Sequence, residues 1–116
     1  MSFVLSDDQE AIKDSVKKIC DQFSPQYWRD LDKAGEFPED FVKAITDGGW
    51  LGIAMPEEYG GAGLGIMEAA VLAHTISNSG AGFSGASAIH LNLFGPHPIV
   101  VFGTEEQKKT IFAPFD

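Results

Sequence analysis

A chain of 116 residues, 44% apolar and 22% charged, has the make-up of one globular domain with a single core, which excludes a disordered segment. Seventeen acidic against eight basic side chains leave a formal charge of −9, a surface that excludes nucleic acid and anionic lipid as partners. The single cysteine, Cys20, excludes an internal disulfide and a cysteine-based zinc site, and with no leader visible in "MSFVLSDDQE" the expected compartment is the cytoplasm or, for a processed protein, the mitochondrial matrix.

The first third predicts capped helices. In "SDDQ", Ser6 can cap a helix start while Gln9 reaches back to it, and Asp7 and Asp8 sit on the positive end of the dipole. Ile12, Val16, Ile19, Cys20 and Phe23 then recur at helical spacing as one apolar stripe. Ser24-Pro25 opens a second helix that Gly35 is placed to end, and Pro38 opens a third that Gly48-Gly49 stops. Near the far end Thr104 and Gln107 of "GTEEQKK" repeat the capping box.

The middle differs. Between Ile66 and Gly103 the only formal charge is Glu68. "IMEAAVLAHTIS" and "SGASAIHLNLFG" read as helices that are apolar or small on nearly every face, and "PHPIVVFG" continues the run. Ser77, Asn78, Gly80, Gly82, Asn92 and Pro96 interrupt every candidate membrane span. Helices of this kind belong inside something large, so part of their surface is expected to be exposed here for a missing partner to cover. Strand-like alternation is scarce, and the expected class is all-α, a bundle of about six helices.

"MPEEYGGAGLG", Met55 to Gly65, raises the question of a phosphate loop. A dinucleotide fingerprint needs G-x-G-x-x-G after a buried strand, whereas Gly61, Gly63 and Gly65 give G-x-G-x-G after a poor strand. The G-K-[ST] of a P-loop is absent. The stretch reads as a bend between helices.

That bend, in "GWLGIAMPEEYGGAGLG", resembles the N-terminal part of acyl-CoA dehydrogenases, and "LSDDQEAIKDSVKKIC", "FPEDFVKAITDGGW" and "FGTEEQKKTIFAP" match in order. The resemblance covers essentially the whole chain, expected as a single N-terminal helical domain over 1–116. It implies a flavoenzyme that removes an α-proton and passes the β-hydrogen of an acyl-CoA to FAD as hydride, leaving a trans-2-enoyl-CoA. It also implies a β-domain holding the flavin and a C-terminal bundle carrying the glutamate base, both beyond Asp116, so the chain alone is expected to be inactive. Acyl-CoA, an electron acceptor, the remaining domains and a homo-oligomer are the implied partners. The helix after the bend departs from the family in carrying Ala73 and His74 where paired acids are common.

The resemblance also implies that part of the wall of the acyl-tail pocket comes from "GASAIHLNLFG", with Ala86, Ser87, His90, Leu91 and Phe94 as substrate-binding candidates. The alternative for the same residues is plain packing between helices. No catalytic, cofactor-binding or metal-binding residue is expected. His74, His90 and His97 have no second ligand at i+3 or i+4, and "GFSGA" lacks the strand and the acid of a nucleophile elbow, leaving Ser84 as a helix cap. Asp7-Asp8, Glu57-Glu58 and Glu105-Glu106 stand at helix starts or turns, Glu68 near a helix start, and Cys20 in the core stripe. A same-fold acyl-CoA oxidase or flavin monooxygenase, and a non-catalytic helical interaction module, are the alternatives to the dehydrogenase.

Overall fold

The computed structural model describes residues 4–112. The ends of the expected span 1–116, including the final Ala113-Pro114 of "FGTEEQKKTIFAP", lie outside the described residues. Among the described residues seven helices follow in order: α1 (Asp7–Cys20), α2 (Pro25–Ala34), α3 (Glu39–Asp47), α4 (Ile66–Ser77), α5 (Gly82–Phe94), α6 (His97–Phe102) and α7 (Glu105–Phe112). Two short 3-10 turns, Trp50–Gly52 and Glu57–Tyr59, join α3 to α4, and no strand occurs among the described residues. The class is all-α.

Local chemistry explains most boundaries. Ser6 Oγ accepts from the Gln9 amide at 3.2 Å while Gln9 Oε1 accepts from the Ser6 amide at 3.0 Å, closing the first capping box. Thr104 and Gln107 make the same reciprocal pair at 3.1 and 2.9 Å. Ser24 caps α2, which ends at Gly35 with φ +68°, a left-handed conformation that glycine adopts without strain.

"PHPIVVFG" continues the uncharged run, as read, and forms a short helix of its own after α5 ends at Phe94. Pro96 has no amide to donate into α5, and its carbonyl instead accepts from Ile99 and Val100 to start α6, with Pro98 harmless in the first turn. One expectation needs correction: Ser84 is not a cap. Helix α5 begins two residues earlier, because Gly82 turns at φ +52° while Ser79 Oγ accepts from the Ala81 amide.

The core explains the uncharged middle. Helix α4 packs between α1 and α5, so a polar stripe would face a neighbour on either side. Ile12, Val16 and Cys20 from α1 meet Ala69, Leu72 and Ile76 from α4, with Ile89 and Leu93 from α5 and Phe41 and Ile45 from α3. Phe41, fully buried, lies edge-on to Trp28 at 5.0 Å and to Phe23 at 5.5 Å between ring centroids. A second, smaller cluster forms apart from this core from Met55, Tyr59 and Phe112, with Ile99 and Val100 against it. Apolar side chains remain uncovered in the Ile66 to Gly103 region, among them Met67, Phe83, Leu91 and Phe102.

Candidate functional site

The glycine stretch is closed on itself. Amides that a phosphate loop would point at its ligand are spent on the loop's own carbonyls: Gly60 to Glu57, Gly61 to Pro56, Ala62 to Gly52, Gly63 to Met55 and Leu64 to Ile53, all between 2.8 and 3.1 Å. A Cβ on Gly61 would collide with the Met55 carbonyl oxygen, so only glycine lets the backbone approach itself this closely. The bend does not present the free amides of a phosphate loop.

What the bend does is join two distant parts of the chain. Tyr59, at its start, donates its hydroxyl to the Glu105 carboxylate at the start of α7, and its ring stands 5.7 Å from that of Phe112. The carboxylate partner pushes the Tyr59 phenol up to about 12, with burial and the charges of Glu105 and Glu58 adding to it. Accepting from Tyr59 holds Glu105 below the ordinary carboxylate value; partial burial opposes this and Lys108 and Lys109 assist. The residues that carry the two most distinctive sequence stretches are thus in contact.

The candidate substrate residues lie on α5, and Gly85 sets where that helix sits. A Cβ there would meet Ala81 Cβ at 2.5 Å, Ile76 Cγ2 at 3.2 Å and Phe41 Cε1 at 3.4 Å, so a side chain would hold α5 away from α4. Gly85, Ile89 and Leu93 turn inward, while Phe83, Ser84, Ser87, His90 and Leu91 are exposed. The five candidates divide. Ala86, His90 and Phe94, four residues apart, form one stripe; Ala86 and Phe94 are half-buried against the main core, and the rings of His90 and Phe94 lie 5.3 Å apart. Ser87 and Leu91 are exposed and line a wide open groove of 710 Å³.

The far wall of that groove was not legible in advance. It is the α2–α3 connection, Gly35 to Pro38, with the exposed Phe37 facing Phe83, Ala88 and Asn92 of α5 across the opening. A lone exposed aromatic beside a helix-opening proline was the available signal. A second recess, of 360 Å³, lies between α1 and α4 and is lined by Leu5, Lys13, Met67, Val71, His74 and Thr75.

Burial pushes the Cys20 thiol up, away from the thiolate a nucleophile needs. Glu68 stands in the first turn of α4, its carboxylate folded back towards Gly65. Among the described residues no three His, Cys, Asp or Glu side chains gather closely enough to hold a metal ion, and no helix is long and apolar enough to cross a membrane.

Comparison with known proteins places these features. Residues 6–115 match the family model described as acyl-CoA dehydrogenase, N-terminal domain. The chain is 34% identical to a probable acyl-CoA dehydrogenase, YngJ, of Bacillus subtilis (strain 168), covering 98% of this chain and 30% of that protein. It is 30% identical to an acryloyl-CoA reductase (NADH) of Anaerotignum propionicum, over 95% of this chain and 27% of the relative. Among solved structures it matches a chain from work on the electron transferring flavoprotein of Acidaminococcus fermentans and flavin-based electron bifurcation. The TM-score is 0.85 at 32% identity, over 99% of this chain and 30% of that one. The chain therefore spans less than a third of the length of these relatives.

Proposed function

The chain belongs to the acyl-CoA dehydrogenase family, and we propose that it is the N-terminal domain of a longer FAD-dependent enzyme that oxidises an acyl-CoA to a trans-2-enoyl-CoA. The observation that carries this reading is the coverage: the family's N-terminal domain model spans almost all of the chain, and the chain spans under a third of its relatives. The flavin would be held by the other domains. When bound there, FAD would accept the β-hydrogen. This chain would supply one wall of the acyl pocket from Ala86, Ser87, His90, Leu91 and Phe94. The uncovered apolar surface of α5 supports that role, since a wall for a hydrocarbon tail must be apolar and must stay open until its partner domain covers it. The other domains would also bring the base and the contacts for an electron acceptor and for a homo-oligomer. A single buried cysteine suits a reducing compartment such as the cytoplasm.

A second reading is favoured by one observation. The acryloyl-CoA reductase named above is similar to nearly the whole chain, so the same carbon–carbon bond could be reduced instead of oxidised. Direction depends on the flavin's surroundings and its electron partner, outside this domain. The test is to express the full reading frame and assay it anaerobically with saturated and α,β-unsaturated acyl-CoA thioesters, beside the 116-residue chain alone. Flavin co-purification and turnover of saturated thioesters by the full protein, with neither in the short chain, is the expected result. Turnover of unsaturated thioesters alone selects the reductase, and turnover that consumes oxygen on readmission of air selects an oxidase or monooxygenase. Absence of flavin from the full protein would leave a helical interaction module.

A further inference from the structure

Helices α6 and α7 are fastened to the molecule differently from the others. No residue of His97–Phe112 enters the main core, which draws on fourteen buried side chains; the cluster that holds these two helices has three. The segment leaves α5 at Gly95-Pro96, bends again at Gly103, and packs against the second 3-10 turn through α7. Its polar tie to that turn is the Tyr59–Glu105 hydrogen bond, between residues 46 apart in sequence. The two ends of the tie are unlike. Tyr59 is buried, whereas the Glu105 side chain is 67% exposed and also meets Lys108 at 3.5 Å. Opening the bond would return the carboxylate to water with little penalty and would uncover a small cluster: Met55, Tyr59 and Phe112, with Ile99 and Val100 against them.

We propose that α6–α7 is a latched strap: one cooperative unit that lifts from the second 3-10 turn while α1, α3, α4 and α5 stay folded, with Tyr59–Glu105 as its latch. Opening free energies within a fold follow the buried apolar contacts each unit must break, and here the two clusters share no buried residue. The strap begins directly after the helix that carries the acyl-pocket candidates, and it bears the exposed Val101 and Phe102. Its lifting would enlarge that apolar surface and free the C-terminal end of α5 without unfolding the core. This inference does not depend on the enzymatic reading.

Amide hydrogen exchange on the 116-residue chain tests it. In the unaltered chain, α6 and α7 amides should share one protection level, at least about tenfold below the best protected amides of α1 and α4. Tyr59→Phe keeps the ring and strands no buried charge, because Glu105 is exposed; it should lower strap protection by about a further tenfold and leave α1 and α4 within about twofold. Glu105→Gln, which keeps an acceptor but loses the charge, should fall between. Uniform protection across all helices, high or absent, would overturn the proposal. So would an equal loss in strap and core with Tyr59→Phe, global unfolding of that variant, or no change in the strap with either substitution.

Discussion

Gly85→Ala isolates the contact that positions α5. In an open helix the change would stabilise, since alanine is favoured over glycine by about 1 kcal/mol. Here the new Cβ would stand 2.5 Å from Ala81 Cβ and 3.2 Å from Ile76 Cγ2. Neither neighbour can turn away: a Cβ has no rotamer, and Ile76 is fully buried. Overpacking of this kind costs about 1–3 kcal/mol, so the net effect should be a loss centred on about 1 kcal/mol and at most about 2, with a fall in Tm of roughly 5 °C and at most about 10 °C for a domain of this size. Gly80→Ala is the control. It has nothing within 4 Å of its new Cβ, and its stability should stay within about 0.5 kcal/mol of the parent or rise slightly. Thermal unfolding followed by circular dichroism compares the two. If Gly85→Ala is as stable as Gly80→Ala, α5 is not held at the distance the structure gives, and the account of how its outer face is presented fails.

Other consequences can be measured alongside. Phe41→Ala removes a fully buried ring that two other aromatics pack against and should cost about 3–5 kcal/mol in urea unfolding; a loss under about 1 kcal/mol would show that the aromatic cluster is not part of the core. The Tyr59–Glu105 pair should stabilise only within a pH window. Glu105 is held low in the fold, so its share is present above about pH 4.3, the unfolded carboxylate value, and is lost as pH falls through the lowered one. Tyr59 is raised, so its share is present below about pH 10 and is lost as pH rises towards 12. The Tm difference between parent and Tyr59→Phe should be flat between these limits and shrink at both ends; a difference independent of pH would refute the pairing. Finally, Phe83, Leu91 and Phe102 should make the isolated chain bind an apolar dye. Changing all three to serine should abolish most of that binding with only small effects on Tm, whereas a parent chain that binds no dye contradicts the exposed face.

What the sequence could reveal followed the range of the interactions involved. The capping boxes at Ser6 and Thr104, and the glycine stop at Gly35, are decided by residues within a turn of one another, and all stand as read. The charge-free middle was legible as apolar helices with part of their surface uncovered: α4 is flanked by α1 and α5, while Met67, Phe83, Leu91 and Phe102 stay exposed. Ser84 misled because a serine before an apolar helix is ordinarily a cap, whereas the start of α5 is set by the turn at Ser79 and Gly82. Helix α6 was not legible because Pro96 ends α5 and then stands at the start of a six-residue helix, with Pro98 fitting its first turn. Phe37 opposite α5, and Tyr59 on Glu105, are long-range meetings that no periodicity encodes. For the same reason the five α5 candidates could be named as a set but not divided between a groove and a half-buried stripe.

The central claim is that this chain presents α5 as part of an acyl-binding wall in a flavin-dependent enzyme. The most direct test is anaerobic titration of the full-length protein with acyl-CoA thioesters of increasing chain length, following flavin absorbance, for the parent and for Ser87→Phe. The account predicts that the flavin bleaches with acyl-CoA. It predicts further that Ser87→Phe weakens the response to the longer thioesters by at least about tenfold while sparing the shortest. Bleaching unaffected by the substitution at every chain length would remove α5 from the pocket, and a full-length protein without flavin would contradict the claim altogether.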